Sequence, residues 1–344
     1  MKTSFFSLTY SDLNKLLSEN KLSNSGATRL FNWHYKRKEQ TPLTEEIALK
    51  TKELIYQNFD FSLPEIIEAH QSADTTVKFL MKLHDGKTIE SVLIPFHGKY
   101  ALCLSSQVGC AMKCQFCYTG TQGLKRHLKA EEIVGQFLQA WHWVQKHRPD
   151  GDKILNLVFM GQGEPLHNFD EVKRAIEILV DQHGASLGTQ RITVSTAGYL
   201  PGLKRWVSEM PRVNLALSLH SSFSAKRDEL IPLNKSYPLP EILDLIKTIP
   251  LQRKQFITFE YLLLKDFNDG IEDAQGLVEV LRDQQAIINL IPFNPFPGAK
   301  YEKPEPSKVQ SFLRVLEEAR YPAFIRTTKG DEILAACGQL NTAQ

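Results

Sequence analysis

The sequence carries little net charge, few cysteines and no long apolar run. Lys and Arg number 41 against 39 Asp and Glu in 344 residues, a formal charge of +2, so the total gives no pointer to a nucleic-acid partner. The longest stretch free of Asp, Glu, Lys and Arg, residues 284–299, contains three prolines, so no membrane span is expected. No long apolar run precedes Asp12, so no secretory signal is read. No short repeat and no low-complexity segment occurs. Only five cysteines are present, an odd count. With no secretory signal, this favours a reducing, cytoplasmic setting and thiol or metal chemistry over a disulfide framework. A composition of 42% hydrophobic and 23% charged residues excludes a disordered or collagen-like chain. At roughly 150 residues per domain, the length suggests about two domains.

The near-neutral total hides local bias. Residues 191–235 carry seven basic and three acidic residues, whereas residues 236–344 carry a net charge of −3. No acid lies between Glu19 and Glu39, a window that holds Lys21, Arg29, Lys36, Arg37 and Lys38 with Phe31, Trp33, His34 and Tyr35 interleaved. Cations neutralise phosphates and flat rings stack on bases, so the window is a candidate RNA surface. The competing reading is an amphipathic helix with its aromatics in a core and its cations solvated.

Residues 1–95 read as an accessory domain, mostly helical with one β-hairpin. Helices are expected at 11–18 (capped by Ser11), 26–37 and 44–58. Alternation from Thr76 to Pro95 predicts a hairpin turned at Asp85-Gly86. From residue 96 to 330 short apolar runs alternate with longer amphipathic ones. Strands are expected at 101–106, 154–160, 191–195, 213–219, 255–264, 286–291 and 323–327. Helices are expected at 130–147, 169–182, 200–208, 240–249, 271–284 and 307–320. Strand-then-helix repetition implies a parallel sheet with crossovers. Polar residues sit at the ends of several different strands: the cysteine loop, Gly163 and Glu164, Ser195, Ser218 and His220, and Asn294. Barrels collect their chemistry in this way, whereas doubly wound sheets concentrate it at one switch point. The expected fold is therefore α/β, a partial (β/α)6-type TIM barrel, followed by a C-terminal segment at 331–344.

Four cysteines, Cys103, Cys110, Cys114 and Cys117, lie within fifteen residues, and Cys337 stands apart. Cys110-Ala-Met-Lys-Cys114-Gln-Phe-Cys117 is a CxxxCxxC with an aromatic before its last cysteine. Three thiolates from one loop can ligate three irons of a 4Fe–4S cube and leave the fourth iron open. A zinc site would want four ligands, and His127 would have to reach back across ten residues to complete one. The Gly161-Gln-Gly-Glu-Pro165 turn is not a dinucleotide fingerprint, because position 166 is Leu. Taken alone, Cys337 reads as a small buried apolar residue, His220 as an ordinary strand-end histidine and Glu90 as a solvated strand residue.

CxxxCxxC with a penultimate aromatic is the signature of radical S-adenosylmethionine enzymes. Cys103-Leu-Ser-Ser-Gln-Val-Gly-Cys110, Phe159-Met-Gly-Gln-Gly-Glu-Pro165, Ser218-Leu-His220, Ile291-Pro-Phe-Asn-Pro-Phe-Pro-Gly298 and Ala335-Ala-Cys-Gly-Gln-Leu340 resemble the RlmN/Cfr-type RNA adenine methyltransferases. The resemblance spans essentially the whole chain and is weakest in residues 1–70. It implies one 4Fe–4S cluster on Cys110, Cys114 and Cys117. It also implies S-adenosylmethionine contacts from Gly163, Glu164, Ser195, Ser218, Leu219, His220 and Asn294. Two S-adenosylmethionine molecules are implied per turnover. One methylates Cys337; the other, reductively cleaved, yields the radical that takes hydrogen from that methyl. The carbon radical then adds to adenine and joins protein to RNA. Glu90 matches the acceptor of the ring proton. Cys103 matches the thiol that attacks Cys337 and releases product, leaving a transient disulfide. The implied substrates are 23S rRNA at the peptidyl-transferase centre and the adenine 3′ to the anticodon of some tRNAs. The implied partners include a reducing protein such as a flavodoxin, with the enzyme acting as a monomer. The 291–298 segment looks more like the carbon-2 than the carbon-8 branch. Gln162 and Tyr118 depart from the family pattern, Met being common at the first position and Ser or Ala at the second. Rival readings are a carbon-8 enzyme, a radical activase acting on a protein, and a non-enzymatic iron–sulfur or zinc RNA-binding module.

Overall fold

The computed structural model describes residues 2–43, 45–96, 98–148, 153–251 and 255–342. Its main feature is one ten-stranded sheet in which neighbours in sequence are neighbours in space. Numbering only the strands of this sheet, β1 is Glu65–Gln71, β2 Val77–Lys82, β3 Thr88–Phe96 and β4 Lys99–Cys103. Then follow β5 Ile154–Phe159, β6 Ile192–Thr196, β7 Asn214–Ser218, β8 Ile257–Leu263, β9 Ile287–Pro292 and β10 Ala323–Ile325. From β4 to β10 every pairing is parallel, and β1 to β4 pair antiparallel. Parallel neighbours require a crossover. Helices supply it: α4 Ala130–His147, α5 Phe169–Val180, α6 Leu200–Glu209, α8 Leu239–Lys247, α9 Ile271–Val280 and α10 Pro306–Glu318. A short helix, α7 Ser224–Leu230, precedes α8. β1 and β10 do not pair with one another, so the sheet is an open, partial barrel. All seven expected strands and six expected helices of the core are present.

Two details of the core follow from chemistry. Strand β8, Ile-Thr-Phe-Glu-Tyr-Leu-Leu, is buried along its whole length, as a central parallel strand should be. The helices bury one stripe each; α5, for example, turns Val172, Ala175, Ile176 and Leu179 inward.

The N-terminal region differs from expectation in several places. Helix α1 runs Tyr10–Glu19, capped by Thr9 and not by Ser11. Thr9 Oγ1 accepts from the Asp12 N–H and Asp12 Oδ2 accepts from the Thr9 N–H, both at 3.1 Å, a reciprocal capping box that fixes the start. The helix expected at 26–37 is α2, Ser25–Phe31, followed by a π-helical turn over Asn32–Lys36. The Asn32 carbonyl accepts from Arg37 at 2.8 Å, five residues on. The helix expected at 44–58 is α3, Leu49–Asn58; Thr44 lies outside the described residues. The hairpin forms at Asp85-Gly86, where Gly86 takes a φ of +81°. It lies within the main sheet, because β3 pairs with β4. Edge strand β1 was not expected. Most of its residues are exposed, so no apolar alternation marks it.

The basic–aromatic window at 21–38 is corrected by burial. Phe31, His34 and Tyr35 are fully or almost fully buried, packed with Phe5 and Phe6, so they are not free to stack on bases. Of the four aromatics only Trp33 keeps partial exposure, with the Arg37 guanidinium 5.5 Å from its ring centre. The amphipathic reading holds here: the layer packs on α4, where Lys38 lies over the Trp141 ring at 4.7 Å, and turns its own rings inward.

Candidate active site

A cleft of about 230 Å³ opens at the carboxyl ends of the parallel strands. Its walls bring together Cys103, Cys110, Cys114, Cys117, Gly163, Glu164, Ser195, Ser218, His220, Asn294 and Cys337. These residues span more than 230 positions of sequence, and the strand ends gather them as a barrel does.

The cysteine loop is shaped by its backbone. The Cys110 N–H donates to the Gly123 carbonyl at 3.2 Å. Gly109 adopts φ +74°, and a Cβ there would stand 1.9 Å from the Gly123 oxygen, so no side chain fits. Burial raises the thiol pKa of all three loop cysteines; that of Cys110 is pushed up to about 12. A bound metal would reverse this by stabilising the thiolates. Among the described residues no three His, Cys, Asp or Glu side chains converge tightly enough for one ion. The three loop thiols lie close enough to act on one another electrostatically, Cys110 and Cys117 both raising Cys114. His127 turns away to Gln107, 2.9 Å from its Nδ1.

Opposite lies the Gly161–Pro165 turn. Gly163 takes φ +104°, and a Cβ there would meet Gln107 side-chain atoms at 2.6 Å. Glu164 is buried, with Oε1 accepting from Leu166 N–H at 3.1 Å and Oε2 from Ala197 N–H at 2.8 Å. Burial raises its carboxyl to about 7 against these hydrogen bonds. A buried carboxylate with no cation among its hydrogen-bond partners suits a cationic ligand, and the ammonium of an amino acid is one. His220 follows β7 in a left-handed conformation, φ +57°. Its Nδ1 accepts from Leu262 N–H at 3.0 Å, so the neutral ring carries its proton on Nε2. Burial and the Arg227 guanidinium lower its pKa to about 3, which keeps it neutral. Asn294 Oδ1 accepts from Thr328 Oγ1 at 2.9 Å. The three thiols fit an iron–sulfur cluster, and Glu164 fits a ligand with an ammonium beside it.

Two predicted residues do not line the cleft. Leu219 is buried, and its N–H donates to the Glu260 carbonyl at 3.0 Å while its own carbonyl accepts from Arg227 Nε at 3.1 Å. Glu90 is not solvated: it is 4% exposed, under the C-terminal segment. Its carboxylate meets Lys78 Nζ at 3.0 Å and accepts from Asn341 N–H at 2.8 Å. Cys337 is exposed to the cleft and not buried as a small apolar residue. The walls around it raise its thiol pKa and the Arg326 guanidinium opposes the rise. Cys103 is buried, and its thiol is raised by burial and by the nearness of Cys337. All five cysteines are free thiols, so no standing disulfide joins them.

Sequence reasoning missed Glu260 and Arg326, which also line the cleft. Glu260 Oε1 accepts from Asn289 Nδ2 at 2.8 Å. A lone carboxylate inside the apolar run of β8 was the available signal. Arg326 directly follows the last strand and had none.

With this geometry in hand, comparison with known proteins is direct. The sequence profile of the Radical SAM superfamily matches residues 104–278. The chain is 43% identical to the dual-specificity RNA methyltransferase RlmN of Rhizobium etli, over 92% of this chain and 81% of that one. It is 40% identical to the protein of the same name from Sinorhizobium fredii, over 99% of this chain and 88% of that one. Among solved structures, a radical SAM methyltransferase from Sphaerobacter thermophilus superposes with a TM-score of 0.88 at 32% identity, covering 98% of this chain and 99% of that one. The chain therefore belongs to the radical SAM superfamily and, within it, to the RlmN family of dual-specificity RNA methyltransferases.

Proposed function

We propose that this protein methylates carbon 2 of an adenine in 23S rRNA, and of the adenine 3′ to the anticodon in some tRNAs. The observation that carries the reading is the cleft itself, which holds the three loop thiols, Glu164, Cys103 and Cys337 together. Carbon 2 of adenine is electron-poor, so direct transfer of a methyl cation to it is unfavourable. Cys110, Cys114 and Cys117 would hold a 4Fe–4S cluster. Glu164, with Gly163, Ser195, Ser218, His220, Asn294 and the Leu219 backbone, would hold S-adenosylmethionine. When bound, this pair supplies a 5′-deoxyadenosyl radical able to take hydrogen from an S-methyl group.

The protein's own residues do the rest. The Cys337 thiolate displaces a methyl from the sulfonium of a first S-adenosylmethionine; an S–C bond forms, and the sulfonium sulfur leaves with the pair of the bond that breaks. Arg326 beside Cys337 favours that thiolate. Glu90 accepts the ring proton once the methylene carbon is joined to the base, and the unpaired electron that radical addition leaves on the base would return to the iron–sulfur group that supplied the electron for cleavage. The Cys103 thiolate then attacks the Cys337 sulfur. An S–S bond forms, the S–C bond breaks, and its pair goes to the carbon, which takes a proton and becomes the methyl group. The resulting disulfide is transient and needs a two-electron reductant such as a dithiol, while a reducing protein such as a flavodoxin supplies the single electron for cleavage of S-adenosylmethionine. Residues 1–95 and the exposed Arg326 at the cleft are the RNA-facing parts. Residues 96–330 form the catalytic core, and 331–344 deliver Cys337. We take the enzyme to be a cytoplasmic monomer; among the described residues no helix is long and apolar enough to cross a membrane.

Nucleoside mass spectrometry of rRNA and tRNA from a deletion strain tests the reading. Loss of 2-methyladenosine from both is expected. Unchanged 2-methyladenosine, or loss of an 8-methylated base instead, would overturn it.

A further inference from the structure

We propose that Lys78 is a positioning residue for Glu90, pairing its ammonium with the buried carboxylate and with the segment that carries Cys337. The inference rests on the reading of Glu90 as the proton acceptor and extends it to a residue on another strand.

The sheet register makes the contact. Leu80 lies opposite Glu90 and Lys78 opposite Val92, so Lys78 and Glu90 are diagonal neighbours on one face. Val92 in turn lies opposite Cys103, which puts Lys78, Val92 and Cys103 in one row across three strands. The C-terminal segment covers this face: Val92, Cys103, Ala335 and Leu340 form one apolar cluster. Lys78 Nζ reaches Glu90 Oε1 at 3.0 Å and the Leu334 carbonyl at 3.4 Å. Glu90 Oε2 accepts from Asn341 N–H at 2.8 Å, and the Glu90 N–H donates to Gln162 Oε1 at 2.9 Å. The carboxylate is therefore held between Lys78 and the segment that follows Cys337, while the Glu90 backbone is tied to the Gly161–Pro165 turn.

The pair is dry, with side-chain exposures of 14% and 6%. A buried ion pair seldom adds stability over apolar residues of the same size. Packing alone does not account for a lysine here. A general base must be anionic before it can accept a proton, and burial pushes Glu90 towards its neutral form. Lys78 is the near cation that opposes this. Among the described residues, the other titratable groups on this face are His70 with its partner Glu68 on β1, Lys82 with Glu65 opposite it, Lys99 and Cys103 on β4, and Cys337 from the covering segment; Lys82 and Lys99 are exposed. His70 Nε2 itself pairs with Glu68 at 2.8 Å, so it does not replace the lysine.

The consequence is specific to one step. Methylation of Cys337 and joining to RNA do not use Glu90. Breaking the C–H bond does: the proton goes to the carboxylate, the bonding pair stays with the ring, and the unpaired electron left by radical addition passes to a one-electron acceptor, the oxidised iron–sulfur group of the reading above. The test is single turnover of reconstituted enzyme on an RNA fragment between pH 6 and 9, reading crosslinked protein and 2-methyladenosine. Lys78→Met should form the crosslink normally but release methylated RNA about tenfold more slowly at neutral pH, recovering as pH rises, since one pKa unit is a factor of ten. Lys78→Arg should restore the wild-type profile. An unshifted pH profile in Lys78→Met, or an equal loss at every pH that Lys78→Arg does not rescue, would overturn the inference. Two controls separate it from the reading beneath. A wild-type enzyme that yields no crosslink removes the functional reading, and normal turnover by Glu90→Gln removes Glu90 as the base; either result also removes the role of Lys78.

Discussion

The Tyr118 N–H donates to the Gly338 carbonyl at 2.7 Å, fastening the residue after the last loop cysteine to the residue after Cys337. Two further bonds follow in step, from Thr119 Oγ1 to the Leu340 carbonyl at 2.7 Å and between the side chains of Gln122 and Asn341. The C-terminal segment thus lies along the cysteine loop, and Cys337 is delivered to the cleft by contacts on its far side. Thr119 is buried, so Thr119→Val leaves the Leu340 carbonyl short of a partner at a cost of roughly 1–3 kcal/mol. Intact-mass analysis should show slower methylation of Cys337 in this variant. The Thr119 hydroxyl also hydrogen-bonds the Cys117 thiol, so the iron–sulfur absorbance is read alongside to separate slower methylation from altered cluster loading.

The two remaining thiols divide their work by position. Cys337 is exposed to the cleft, whereas Cys103 is buried at the end of β4. Cys337→Ala should abolish methyl transfer and give no crosslink. Cys103→Ala should permit the crosslink and prevent its release, seen as a protein–RNA adduct on a denaturing gel. Clean turnover by Cys103→Ala would remove that residue from its assigned step.

Much of this was legible in the sequence, and the parts that were not have physical causes. The core strands and helices show because each buries a continuous run or a stripe, and burial writes itself into residue type. The cysteine spacing shows because three ligands come from one short loop. Strand β1 was hidden because most of its residues face water, and the start of α1 because a Thr–Asp box competes with a nearby serine. Glu90 illustrates a deeper limit. Its residue type in an alternating strand predicts solvation, yet a segment some 250 residues later covers it. No local pattern encodes that lid. The aromatic window at 31–35 was ambiguous for the same reason, since rings that stack on RNA and rings that fill a core have the same spacing.

The Gly161–Pro165 turn makes a conformational prediction. At Gly163 both the positive φ and the 2.6 Å approach to Gln107 exclude a side chain. Gly163→Ala should lower stability by about 2–4 kcal/mol, combining left-handed strain with a backbone shift. The shift should also move Glu164, so weaker binding of S-adenosylmethionine should accompany a lower Tm. A variant with unchanged Tm and binding would show that the turn is not held as described.

Glu164 gives a pH dependence with a definite sign. Its carboxyl lies at about 7 in the folded chain against 4.5 for the unfolded reference. Between these values the folded state holds a proton that the unfolded state has lost. Stability from this group is therefore fully present below about pH 4.5 and falls as pH rises through 7. Each unit is worth about 1.4 kcal/mol, so the whole window amounts to roughly 3 kcal/mol. Glu164→Gln mimics the protonated form. Denaturant melts of the cluster-free chain between pH 5 and 8 should show the variant gaining on wild type as pH rises. An ammonium placed against the carboxylate would cancel the effect by favouring the anion. Binding of S-adenosylmethionine to the wild type near pH 6 should then release a proton, and binding to Glu164→Gln should not. Calorimetry in two buffers of different ionisation enthalpy measures that difference. Equal proton release by both proteins would place the ammonium elsewhere in the cleft.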